Sequence, residues 1–270
     1  MNALATSLPL VLAIGRQDSC GRGGIQADIE TCLSLGCHCL PVVTAISACD
    51  GDHPEKITEL PTGALIEQIR SLLARVPVAV IKLGPLTQMA QVEALHSILA
   101  DYPQIPLVLD MSSGPKPEPR GSQDPLRQAS HHLLLPLARI ILAEAHWAKA
   151  WAPQGDTLNA CAQELLESQG EALLMTHCEP RGDQEEHRFY HQQGLTRCYR
   201  WPRLAAQSED QNATLAAALA AYLAHGLRLA DAVEQSQNFA WHAQRKSQQL
   251  GANLQLPNRL FWADRNKNEH

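Results

Sequence analysis

The residues with the most capacity for chemistry lie between Gly15 and Asp28, where the chain reads GRQDSCGRGGIQAD. Gly21, Gly23 and Gly24 have no Cβ to hold a ligand off the backbone. Their N–H groups could therefore meet an anion or a polar ring closely. Asp28 adds a carboxylate shortly after them. A plain strand-to-helix connection would use the same glycines, and a first-turn Asp is favoured by the helix dipole alone. Taken by themselves, these residues leave both readings open.

The elements that would position them are legible on either side. Leu10-Val11-Leu12-Ala13-Ile14 is an apolar run short enough for a buried strand. After Gly24, residues Ile25, Ile29, Cys32, Leu33 and Leu35 recur at helical spacing, and Gly36 supplies a stop. Downstream, strand and helix alternate. Strands are expected at Cys39–Ser47, Val78–Leu83, Ile105–Asp110 and Arg139–Ala143, and helices at Thr62–Arg75, Thr87–Ala100 and Pro125–Leu135. Cys49–Glu59 and Met111–Asp124 read as loops. An Ala-rich helix from Ala213 to His225 and an amphipathic one from Leu229 to Leu250 follow, with Trp241 and His242 expected against the sheet. Alternation of this kind predicts a mainly parallel sheet with helices on both faces and ligands at its C-terminal strand ends.

The 270 residues suit a single α/β domain, 1–270, with a core over about 10–250 and a polar tail, Asp264–His270. With 45% hydrophobic and 19% charged residues the chain reads as soluble and globular. A net charge of −6 gives no electrostatic reason to expect nucleic acid or an anionic membrane. No apolar run approaches a membrane span and the N-terminus lacks a basic leader, so a cytoplasmic address is expected. Of the eight cysteines only Cys37-His38-Cys39 is a tight cluster, and no CxxC pair completes a zinc site. Buried free thiols are the expectation.

Gly24-Ile25-Gln26-Ala27-Asp28 resembles, letter for letter, the opening motif of the hydroxymethylpyrimidine/phosphomethylpyrimidine kinases of thiamine synthesis, a ribokinase-like family. Thr44-Ala45-Ile46, Lys82-Leu83-Gly84 and Val108-Leu109-Asp110 resemble later landmarks in the same order. His187–Tyr190 and Cys198–Leu204 around Gln192-Gln193-Gly194 resemble the family's late hairpin. The resemblance implies a three-layer fold, ATP with Mg2+, and a small alcohol substrate, pyrimidine or pyridoxal-like. Asp28 and Gly23 align with substrate-facing positions, and Cys49 with a ring-pairing Gln whose amide contact a thiol cannot repeat. A homodimer is left open.

The nucleotide side departs from the family. Its G-T-G-C-T loop supplies anion-hole N–H groups and the base; aligned through Thr214, this chain reads Asp210-Gln211-Asn212-Ala213. Ala213 thus occupies the base position, with Asp210 the available substitute. Capping of the following helix by Ser208, Asp210 or Asn212 explains the same residues. The acidic residue that helps hold magnesium-bound water in relatives falls on Trp147, with Glu144 nearby. The family's K-G-G-H appears as Thr176-His177-Cys178-Glu179, without its phosphate-contacting lysine. Two functions follow: a kinase with weak or lost activity, or a non-catalytic pseudokinase that binds a pyrimidine-like ligand or a protein partner as a sensor.

Overall fold

The computed structural model describes residues 8–48, 56–111, 124–167, 170–179, 182–192, 194–204, 211–251 and 254–263. The N-terminal half runs β1 (Leu10–Asp18), α1 (Gly24–Ser34), β2 (His38–Ala48), β3 (Lys56–Glu59), α2 (Thr62–Leu73), β4 (Val80–Leu83), α3 (Met89–Ala100) and β5 (Leu107–Asp110). It continues as α4 (Pro125–Leu133), β6 (Ile140–Glu144), α5 (Ala145–Trp151), α6 (Leu158–Glu167) and β7 (Ala172–Thr176). The C-terminal part comprises β8 (Gln184–His191), β9 (Gly194–Pro202), α7 (Gln211–Ala224), α8 (Leu229–Arg245), β10 (Gln248–Gly251) and β11 (Leu254–Leu256).

One nine-stranded sheet carries the order β3-β2-β1-β4-β5-β6-β7-β8-β9. β1 pairs in parallel with both β2 and β4, and parallel pairing continues through β7. The antiparallel strands lie at the two edges: β3 on β2, and the β8–β9 hairpin on β7. Alternation along β1 divides the core. Leu12 and Ile14 pack with α2 through α6, whereas Val11 and Ala13 pack with α1, α7 and α8. This is the three-layer, ribokinase-like arrangement that the alternation and the resemblance predict.

Several differences have local causes. Lys56–Glu59, read from sequence as loop, adds an antiparallel edge strand to β2; it is too short and polar to stand out by pattern. The last helix ends at Arg245 rather than Leu250, because the chain turns into the β10–β11 ribbon. The packed structure also runs past residue 250, since Pro257 and Arg259 are buried. Gly36 does close α1: its φ is 72°, and the N–H groups of Gly36 and Cys37 reach the carbonyls of Leu33 and Cys32. Cys37 and Cys39 are buried on one side of exposed His38, as strand alternation requires. Burial pushes the Cys37 thiol up to about 11, so it stays protonated and inert.

Candidate active site at the C-terminal strand ends

The glycine loop leaves the C-terminal end of β1 and enters α1 at Gly23. Its shape is imposed from within. The Asp18 carboxylate accepts N–H bonds from Cys20 and Arg22, both 2.9 Å, and from Gly23 at 3.2 Å. Of the glycine N–H groups that the sequence offered to a ligand, that of Gly23 is thus taken by the Asp18 carboxylate and that of Gly21 by the Asp18 carbonyl at 3.1 Å. Gly24 is the position where only glycine fits: its φ is 58°, and a Cβ would fall 2.1 Å from the Arg16 carbonyl oxygen. Cys20 in this loop is disulfide-bonded, contrary to the expectation of free thiols throughout. Cys32, Cys37, Cys39, Cys161 and Cys178 are free and buried, as expected; Cys198 is free but exposed.

Asp28 points into the sheet. Its carboxylate lies 3.0 and 3.2 Å from Lys82 Nζ, and Asp110 lies 4.0 Å from the same ammonium. All three side chains are buried. Burial would lower the lysine's pKa, but Asp28 and Asp110 outweigh it and hold Lys82 above its ordinary value, charged. Gly23 and Asp28 therefore share one end of the sheet, with Asp28 engaged by the protein's own cation. Cys49 lies outside the described residues. Lys82 entered the sequence reading only as a landmark, because nothing local ties β4 to the second turn of α1.

A second polar group occupies the ends of β6, β7 and β8. Asn212, in the first turn of α7, donates from Nδ2 to Glu144 Oε1 at 2.7 Å. Its Oδ1 accepts from Thr176 Oγ1 at 3.3 Å. The carboxamide thus fills the rim between β6 and β7, at the position where the resemblance implies glycine. Ala213 is buried beside it. Asp210 lies outside the described residues, and Gln211 opens the helix. Glu144's other oxygen faces His146 Nδ1 at 3.1 Å. Burial raises the Glu144 pKa despite the His177 charge and the Asn212 bond. Both Glu144 oxygens are thus engaged within the protein, one by Asn212 and one by His146.

His177, where the resemblance leads one to expect glycine, keeps a glycine-like backbone, φ 48°. What holds it there is Glu185, whose Oε1 lies 2.6 Å from His177 Nδ1 and 3.0 Å from His187 Nε2. Burial lowers the His177 pKa, but the Glu185 hydrogen bond and the charges of Glu185 and Glu144 outweigh burial and Arg203, and raise it. Burial would raise Glu185, but the two histidines hold it well below the usual carboxylate range. A raised His contributes stability below its unfolded value, about 6.5, and loses it as pH rises through the folded one. A depressed Glu contributes above its unfolded value, about 4.3, and loses it as pH falls. The pair is therefore at full strength near pH 4.3–6.5. The melting-temperature gap between the protein and His177→Ala, which keeps the same backbone strain, is expected to be larger at pH 5.5 than at pH 9. A gap that does not move would remove the ion pair from the account.

Beside this group opens a shallow cleft enclosing about 40 Å3, lined by Trp201, Trp241, Leu215, Ala240, His187 and Asn212 among others. The two indole rings stack with centroids 6.2 Å apart and an angle of 30°. Trp201 Nε1 donates to Gln237 Oε1 at 3.2 Å, and Trp241 Nε1 to the Pro202 carbonyl at 3.0 Å. Trp241 thus packs on the edge strand β9 of the sheet, as expected, and there walls the cleft. Sequence reasoning missed it because Trp201 and Trp241 meet only when β9 and α8 come together. The apolar walls suit a flat heterocycle.

A three-layer α/β fold with polar side chains gathered at its C-terminal strand ends defines the class, and solved structures agree on the fold. The ADP complex of Bacillus subtilis pyridoxal kinase matches with a TM-score of 0.85 at 19% identity, covering 95% of this chain and 99% of that one. The Staphylococcus aureus pyridoxal kinase with AMP-PCP and pyridoxal matches at 0.83 and 21%, over 98% and 97%. Within that class, residues 18–258 match the phosphomethylpyrimidine kinase family model, and the chain belongs to that family. It is 28% identical to the thiamine biosynthetic bifunctional enzyme of Arabidopsis thaliana over 93% of its own length. It is 27% identical to the hydroxymethylpyrimidine/phosphomethylpyrimidine kinase of Mycobacterium bovis over 90% of each chain. The chain spans about half of the Arabidopsis protein, 49%, and its match to the Streptomyces coelicolor kinase, 38% identical, covers 38% of each.

Proposed function

We propose that this chain is a hydroxymethylpyrimidine/phosphomethylpyrimidine kinase homologue in which ligand binding has outlasted phosphoryl transfer. The observation that carries the reading is the Asn212 carboxamide, bonded to Glu144 and Thr176 on the rim where the family keeps an open glycine. Ala213 has no proton acceptor to offer a substrate hydroxyl, and Glu144 and Glu185 bring carboxylates to a place that must attract phosphate. The intact Gly24–Asp28 motif supports a retained pocket for a pyrimidine-like alcohol, with Gly23, Asp28 and Cys49 as its proposed contacts. Relatives of this fold bind ADP and pyridoxal, and the stacked indole rings beside α7 offer a surface on which a nucleotide base could lie. ATP is then a ligand more than a cofactor, and the magnesium chemistry of the family is impaired here. A protein that binds without turnover is suited to sensing its ligand. Its surroundings in this reading are cytoplasmic, with no nucleic-acid or membrane partner; a homodimer is the assembly to test by light scattering. No helix among the described residues is long and apolar enough to cross a membrane.

Isothermal titration with hydroxymethylpyrimidine, its phosphate, pyridoxal and ATP, paired with a coupled ATPase assay, tests the proposal. Binding is expected with turnover well below about 1 per second. Ordinary turnover would establish an active kinase instead, and no binding of any of the four would end the ligand reading.

A further inference from the structure

We propose that Arg259 is a positioning residue that holds the glycine loop and the first turn of α7 as one unit. The naming of these as the substrate and nucleotide halves rests on the reading above; the physical link does not. Arg259 lies beyond β11, far in sequence from everything it grips, and its side chain is 1% exposed. Nε donates to Thr214 Oγ1 at 3.0 Å. Nη1 donates to the Gly21 carbonyl at 3.0 Å and to Glu30 Oε2 at 2.8 Å, and Nη2 donates to the Arg22 carbonyl. One planar fork thus joins the loop, the middle of α1 and the start of α7, which a lysine's point charge could not do.

The grip is complementary to that of Asp18. Asp18 takes N–H groups of the loop, at Cys20, Arg22 and Gly23, while Arg259 takes the carbonyls of Gly21 and Arg22. Thr214 directly follows Asn212 and Ala213, so the same guanidinium fixes the turn that bears on Glu144 and Thr176. The strap that delivers Arg259 is itself pinned. Asn258 N–H bonds the Ala243 carbonyl, Trp262 Nε1 donates to Ser34 Oγ, and Phe261 packs against Phe239 and His242. A buried guanidinium cannot easily give up its acceptors, so displacement of either segment is transmitted to the other. Such a link makes the two halves interdependent, and the dependence is reciprocal in binding.

Hydrogen exchange on the full chain tests this without any ligand. In Arg259→Met, exchange at Gly21–Gly24 and in the first turns of α7 is expected to rise together by about tenfold or more, the equivalent of losing one charged hydrogen bond. Arg259→Lys should restore neither segment fully. A rise confined to residues 254–263, or spread evenly over the chain, assigns Arg259 an ordinary structural role and overturns the proposal. Should Arg259→Met not fold, Thr214→Val removes the α7 contact alone; unchanged exchange in the glycine loop then overturns it equally. In the folded protein, the factor by which ATP changes hydroxymethylpyrimidine affinity should fall to about one in Arg259→Met. An unmodified protein that binds both ligands without such a factor refutes the coupling. If it binds neither, the kinase reading fails, and the exchange data still decide the link.

Discussion

Replacing Asp28 with alanine is expected to cost about 3–5 kcal/mol of folding stability, because it strands a buried lysine. Lys82 lies 3.0 Å from Asp28 and 4.0 Å from Asp110, and all three are shielded from water. Without Asp28 the ammonium keeps only the more distant partner, too far for a hydrogen bond. Against a typical total of about 5–15 kcal/mol this is a large fraction. The melting temperature should fall by roughly 6–20 °C, at about 2–4 °C per kcal/mol for a chain of this size. Scanning calorimetry on Asp28→Ala, Lys82→Met and the double variant separates the pair from its parts. The double variant should recover much of the loss, since an apolar replacement of a buried ion pair is often near neutral. A cost for Asp28→Ala below about 1 kcal/mol would mean that the pair is not structural and that the carboxylate is available to a ligand. Pyrimidine binding to Asp28→Asn, which keeps the volume, then measures any ligand contact; a loss of about 1–3 kcal/mol is expected if the ring donors are left unpaired.

The Asp28–Lys82 pair illustrates why the fold was far more legible in the sequence than the site. Strand and helix positions follow from apolar spacing, which each segment carries within itself; β1, β4 and α1 all lie where Ile14, Leu83 and Ile25 placed them. The hairpin was legible only by resemblance, through the segments on either side of Gly194. The site is assembled from pairs remote along the chain: Asp28 with Lys82, Glu144 with Asn212, Trp201 with Trp241, Gly21 with Arg259. No periodicity reports such meetings. Lys82 in the middle of a buried strand was a legible anomaly, because a buried charge demands a partner, but the partner's identity depends on how α1 crosses the sheet. Arg259 gave no comparable signal, although it sits among Leu256, Leu260, Phe261 and Trp262. The loss of glycine at Asn212 was legible by resemblance, whereas the two hydrogen bonds that replace it were not.

Rebuilding the family's anion-hole loop is expected to produce the largest change in function. The variant converts Asp210 and Asn212 to Gly and Ala213 to Cys, and each step has a separate physical content. Asn212→Gly removes the carboxamide from between Glu144 and Thr176, freeing the rim for a phosphate at the cost of two hydrogen bonds. Asp210→Gly removes a negative charge beside the helix start, where phosphate gains most from the dipole. Ala213→Cys adds a proton acceptor in the first turn of α7, where the helix N-terminus favours thiolate and so offsets the burial of that position. A positioned base is worth roughly 10²–10⁴ in rate. Anion-hole donors add about 10²–10³, and because the parts act as a unit the factors need not multiply. A coupled ATPase assay with pyrimidine and pyridoxal substrates should therefore find the triple variant at least about a hundredfold faster than the starting protein, with Ala213→Cys alone well short of that. The comparison depends on the starting rate. If the unaltered protein already turns over at about 1 per second or more, its own loop is competent. Loss of that rate in Asp210→Asn would then identify Asp210 as the base that replaces the missing one. Should both Asp210→Asn and the triple variant leave a low rate unchanged, the defect lies in the engaged Glu144 instead, and Glu144→Gln with its metal dependence becomes the decisive measurement.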